Sequence, residues 1–157
     1  MPLLNYTTKI SAQRTLGEVQ GILGEAGAAE ISIRYDSKTK RPSGIEFSID
    51  TPFGLRWYTL PANAEPVLAT LADQKARQRG SYRRAYIKDT TEQAERVAWR
   101  IIKDWIEAQL AIVQTGMVSF HQVMPPYMHA GNNGLTVFQA MEQAALKALP
   151  PPTKARR

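Results

Sequence analysis

The residues of this chain best suited to chemistry gather between Lys75 and Lys103. Lys75, Arg77, Arg79, Arg83, Arg84 and Lys88 surround Tyr82 and Tyr86, and Arg96, Arg100 and Lys103 follow at helical spacing. Nine basic and three acidic residues lie in this stretch, against seven and eight in residues 1–74 and four and three in residues 104–157. The formal charge of +6 is thus localised. Mobile cations suit phosphate oxygens, and tyrosine rings offer flat faces to unpaired bases. No helix-turn-helix or zinc-finger spacing accompanies them, so the pattern fits a single strand better than a duplex groove. The same residues would also serve as a solvated loop that keeps the protein soluble, or as a dock for an acidic protein.

Other constellations carry less. His121 and His129 are the only histidines, two prolines separate them, and no third ligand or HExxH pattern accompanies them, so neither a metal nor a catalytic role is expected. Glu46 and Asp50 share one face of a strand by period-two spacing, which exposed strand polarity explains more simply than a cation site. Pro52-Phe53-Gly54 joins two strands, and Gly131-Asn132-Asn133-Gly134 lacks the lysine and hydroxyl of a phosphate-binding loop. With no cysteine, thiolate metal sites, disulfides and a thiol nucleophile are excluded. No cofactor is expected. In the cationic stripe, Arg100 with Asp104 and Lys103 with Glu107 are i, i+4 partners worth about 0.2–0.5 kcal/mol each, so structural pairing competes there with ligand contact.

The elements that must position these residues follow from patterning. A chain of 157 residues with 43% hydrophobic and 22% charged residues has the composition of one folded domain. Its extent is read as residues 1–149, with a basic tail over 150–157. Thr15 and Glu18 form a capping-box pattern that opens a helix over Leu16–Ala26. Ile31 to Tyr35, Ile45 to Ile49 and Leu55 to Leu60 alternate as strands, with turns at Asp36–Ser43 and Thr51–Gly54. Leu4 to Ile10 offers a fourth, weaker strand at one edge. Asn63 opens a second helix that becomes basic as it ends. Thr90 with Gln93 opens the longest periodic segment, which reaches Thr115. Ser119 with Gln122 starts a short helix ending at Pro125, Pro125–Gly134 is a loop, and Thr136 with Gln139 starts a last helix ending at Leu149. The expected class is α+β: a three- to four-stranded antiparallel meander packed on a long central helix, with short C-terminal helices. The apolar arc of that central helix includes Trp99, Ile106 and Leu110 and is wider than one packing surface needs. A second helix or a second subunit is therefore expected to cover part of it. Trp57, Trp99 and Trp105 are read as core anchors. The N-terminus turns polar too early for a signal peptide and no long apolar run exists, so no membrane is expected and the cytoplasm is the expected location.

Three segments carry a family likeness: Glu92 to Leu110, Asn5-Tyr6-Thr7-Thr8, and Met124-Pro125-Pro126-Tyr127-Met128. Through them, over roughly residues 2 to 130, the chain resembles a family of small bacteriophage and prophage proteins with no assigned activity. The likeness implies a bacterial host cytoplasm and a phage DNA-metabolism context, and transfers no residue role. By fold analogy, hairpins backed by a long helix are similar to single-strand annealing proteins, and the helix–three-strand–helix order is similar to double-stranded RNA-binding domains. The signature residues of neither are present. The expectation is a non-enzymatic phage-type protein that binds single-stranded DNA or RNA through the eleven residues named at the outset. The alternative is a phage interaction protein, an oligomeric adaptor or an inhibitor of a host factor. Catalysis ranks below both.

Overall fold

The computed structural model describes residues 1–78 and 86–146, with the side chains of residues 145 and 146 left out. The chain runs α1 (Ala12–Glu25), β1 (Ala28–Tyr35), β2 (Pro42–Thr51), β3 (Gly54–Pro61), α2 (Ala64–Arg77), α3 (Thr91–Gln114), α4 (Phe120–Val123), a 3₁₀ turn at Pro125–Tyr127, and α5 (Val137–Met141), which continues as a π-helical turn to Leu146. The class is α+β, and the sheet is three-stranded and antiparallel in the order β1-β2-β3.

Period-two alternation makes the sheet and gives it two unlike faces. Ile45, Phe47 and Ile49 of β2 are buried on one face, level with Ile33, Ile31 and Ala28 of β1. Tyr58 and Leu60 of β3 stand directly across from Phe47 and Ile45, and the Phe47 and Tyr58 rings stack with centroids 5.3 Å apart. This face shares a buried cluster with Leu16, Val19 and Leu23 of α1 and with Trp99 and Ile106 of α3. A second cluster joins Leu71 of α2 to Ala94 and Val97 of α3, with Ile87 between the two helices. The wide apolar arc of α3 is thus covered within the chain: Trp99 and Ile106 toward the first cluster, Ala94, Val97 and Ile101 toward α2.

Two expectations in the N-terminal part of the chain are corrected. Leu4 to Ile10 is not a strand. Asn5 has φ 62°, Tyr6 N–H donates to Leu3 and Thr8 N–H to Asn5, so the segment is a tight turn. Polar clips hold it down. Gln93 Nε2 donates to the carbonyls of Tyr6 (3.0 Å) and Thr8 (2.9 Å), Asn5 Nδ2 donates to Asp104 (2.7 Å), and Leu3 N–H donates to Gln74 (2.9 Å). The helix α1 starts four residues earlier than the Thr15 box implies, because Ser11 accepts from Arg14 N–H and caps it. Thr15 instead lies inside the helix, fully buried. Elsewhere the capping signals match the observed starts. Thr90 caps α3 by accepting from Gln93 N–H, although the Gln93 side chain serves the N-terminal segment and not the cap. The boxes at Ser119 and Thr136 open α4 and α5.

The stretch expected to be only a loop, Pro125–Gly134, contains the 3₁₀ turn and an edge pairing. His129 N–H donates to Trp57 (2.8 Å), and single bridges link Tyr58 to Met128 and His129 to Thr136.

Candidate nucleic-acid interface

The helix α2 exits at Arg77, and the chain returns at Tyr86 on its way to α3. Arg79, Tyr82, Arg83 and Arg84 lie between, outside the described residues. Their two anchor points are joined. Lys75 Nζ is 2.6 Å from Asp89 Oδ1 and sits 4.9 Å from the centroid of the Tyr86 ring. Ile87, buried between α2 and α3, fastens the return strand of the same connection. Lys75 and Tyr86 therefore form a clasp that closes the base of the basic segment. In that role they position the segment before they contact any ligand.

The clasp has a defined pH range. The Asp89 carboxyl is held below its ordinary 3.8, first by the hydrogen bond from Lys75, and the Lys75 ammonium is held above its ordinary 10.5 by Asp89 and then by Tyr86. A lowered carboxylate contributes stability above its unfolded value and loses it as pH falls through the lowered one. A raised ammonium contributes below its unfolded value and loses it as pH rises through the raised one. The Tyr86 ring resonances should therefore stay constant between about pH 5 and pH 9 and move only toward the extremes. A transition centred near neutrality would show that something else closes the loop.

The remaining cations differ in how free they are. Arg77 is 78% exposed and pairs with Asp73 at 3.0 Å, a solvent-screened contact worth about 0–1 kcal/mol that a phosphate can displace. Lys88 is exposed and forms no ion pair among the described residues. The α3 stripe is another matter. Arg96 binds Glu92 at 2.6 Å, Arg100 binds Glu18 of α1 at 2.6 Å, and Lys103 binds Glu107 at 2.6 Å with Asp104 at 3.8 Å. The Arg100 and Lys103 side chains are only 19% and 13% exposed. Arg100 ties α3 to α1, whereas the clasp lies on the α2 side, so among the described residues the two basic sets occupy different flanks of α3.

Another ion pair escapes any linear reading of the charge. Arg41, from the β1–β2 turn, reaches Glu95 on α3, whose side chain is 11% exposed. Only tertiary structure brings these two together.

Seven of the twenty cations lie outside the described residues: Arg79, Arg83, Arg84, Lys147, Lys154, Arg156 and Arg157. The described residues hold the other thirteen and all fourteen carboxylates. In formal charge, residues 1–78 and 86–146 are therefore close to neutral, and along the sequence the positive surplus falls in residues 79–85 and 147–157.

The histidines sit apart from this region. His129 Nε2 is 2.7 Å from Thr59 Oγ1, and His121 meets Phe53 edge-on with centroids 5.6 Å apart. Glu46 pairs with Arg34 at 3.3 Å. No group of three His, Asp or Glu side chains suited to a metal ion occurs among the described residues. Trp99 is a core residue, while Trp57 and Trp105 are half-buried. No helix among the described residues is long and apolar enough to cross a membrane. Comparison of the chain with protein-family models, with curated proteins and with solved structures finds no match.

Proposed function

We propose that this is a non-enzymatic, phage-type protein of the bacterial cytoplasm that binds single-stranded DNA or RNA through phosphate contacts. One observation carries the reading: residues 79–85 and 147–157 hold seven cations and no Asp or Glu, while the rest of the sequence holds thirteen cations against fourteen carboxylates. A charge surplus used only for solubility has no need to be segregated in this way, whereas a polyanion is met efficiently by clustered cations. Arg79, Arg83, Arg84 and Lys88 are the leading phosphate contacts, Tyr82 offers a stacking face, and Arg77 joins them by exchanging Asp73 for phosphate. Lys75 and Tyr86 hold the base of the segment. Arg96, Arg100 and Lys103 are secondary contacts at most, since each already has a carboxylate.

The test is fluorescence anisotropy of a labelled oligothymidylate and of a matched duplex across a salt series. Log affinity for the single strand should fall linearly with log salt, with a slope of about −0.7 per phosphate neutralised, and the single strand should bind more tightly than the duplex. Absence of binding at low salt, or affinity that ignores salt, would remove the proposal.

The competing reading, an interaction protein that is an oligomeric adaptor or an inhibitor of a host factor, rests on the wide apolar arc of α3. Packing against α1, α2 and the sheet accounts for the N-terminal and middle parts of that arc within one chain, and Leu110 is only partly buried.

A further inference from the structure

Far from the basic segments in sequence, the ends of α1 and α3 meet the β2–β3 turn and α4 around a cleft of about 530 Å³. Its volume is in the range of ligand-binding pockets. Its walls mix apolar side chains, Ile22, Ile49, Leu110, Val113 and Phe120, with polar ones that include His121 and Glu107, the partner of Lys103. Phe53 reaches its rim, where its ring meets His121, and Met117 is a second exposed apolar side chain in the link that leads to Phe120. Phe53, at the turn, is 72% exposed and Met117, in the link from α3 to α4, is 70% exposed. Apolar surface of this kind around a concavity marks a docking site.

The charge of the cleft specifies what docks. Glu25 and Asp50 line it, are exposed, and form no ion pair among the described residues. The C-terminal turns of both α1 and α3 also line it, through Ala26 and Gln114. Each helix end carries the negative pole of its backbone dipole, which a Lys or Arg in the last turn commonly offsets. Neither helix has a basic residue there. Two free carboxylates and two uncompensated helix ends thus face one apolar hollow.

We infer that this cleft receives a segment of a partner protein in which an apolar anchor is flanked by lysine or arginine. The anchor fills the hollow between α1 and α3, and the flanking cations meet Glu25, Asp50 and the helix ends. The residues that line the cleft lie outside both basic segments in sequence, so its test is separate from that of the nucleic-acid reading.

Three fluorescein-labelled peptides test it on the full chain: one with phenylalanine and leucine anchors flanked by lysines, a twin with glutamates for the lysines, and a twin with serines for the anchors. The first should bind at least about tenfold more tightly than either twin, a difference of ~1.4 kcal/mol. It should also shift the NMR signals of Ile22, Val113 and Phe120. Glu25→Lys with Asp50→Lys should weaken it about tenfold and favour the glutamate twin. Ala111→Arg, at an exposed wall position, should block the cleft and supplies a second variant should the double one fold poorly. Neither change should alter the salt dependence of oligonucleotide binding. Equal affinity for the lysine and glutamate peptides, indifference to both variants, or shifts elsewhere on the protein would overturn the inference.

Discussion

Trp99→Ala should lower the melting temperature by roughly 10 °C or more, the largest effect of any single substitution considered. Trp99 has no exposed surface and belongs to the cluster that joins α1, α3 and the sheet. Truncating a buried tryptophan costs about 3–5 kcal/mol, out of a total stability of about 5–15 kcal/mol for a domain. Trp99→Phe should cost far less than the lost volume implies. The indole Nε1–H is buried without a hydrogen-bond partner among the described residues, and phenylalanine removes that donor together with the ring atoms around it. Thermal melts of the two variants check both halves of the argument. Equal losses would mean that the indole N–H is well paired in solution.

Gln93→Leu ranks second, at about 2–4 kcal/mol. The residue is 4% exposed, and its amide satisfies two carbonyls of the N-terminal turn, those of Tyr6 and Thr8. Leucine has a similar volume and leaves both acceptors facing an apolar group. The loss should be local as well as global. Backbone amides around residues 3–8 should exchange with solvent much faster than those of the α3 core, since Asn5–Asp104, the contacts with Gln74 and the partial burial of Leu3 and Tyr6 would be left to hold that segment. Uniform exchange across the protein would mean that the turn is held by packing and not by Gln93.

The same residue shows where sequence reading reaches its limit. The Thr90–Gln93 spacing located the start of α3 correctly, because a cap depends on neighbours three residues apart. It could not show that the Gln93 side chain serves Tyr6 and Thr8, more than eighty positions away. The strands were legible for the same local reason: Ile45, Phe47 and Ile49 alternate, and Thr51 to Gly54 turns, without reference to the rest of the chain. Leu4 to Ile10 misled because a few apolar residues resemble a strand when Asn5 is free to adopt a positive φ. Met128 and His129 have a loop signature, because prolines precede them and glycines follow. Their pairing with β3 depends on a partner seventy residues earlier.

Charge followed the same rule. A count along the chain placed the whole surplus in Lys75 to Lys103, yet the carboxylates that meet Arg100, Lys103 and Arg77 are Glu18, Glu107 and Asp73, all outside that stretch. Pairing through space leaves each cation of the helix stripe with a carboxylate of its own. The i, i+4 partner of Lys103 was visible in advance. Arg100 had an expected partner in Asp104, but it takes Glu18 across the α1–α3 contact, and Asp104 instead accepts from Asn5.

Two charge-matched triple variants test the central claim most directly, measured by the salt dependence of oligothymidylate binding together with thermal melting. Removing Arg79, Arg83 and Arg84 as glutamines should reduce the magnitude of the slope by about 2 and leave the melting temperature in place. Removing Arg96, Arg100 and Lys103 as glutamines should leave the slope nearly unchanged and lower the melting temperature by several degrees, on the order of 1–3 kcal/mol from three broken ion pairs. The opposite pattern, with the slope lost from the helix variant and kept in the loop variant, would contradict the account.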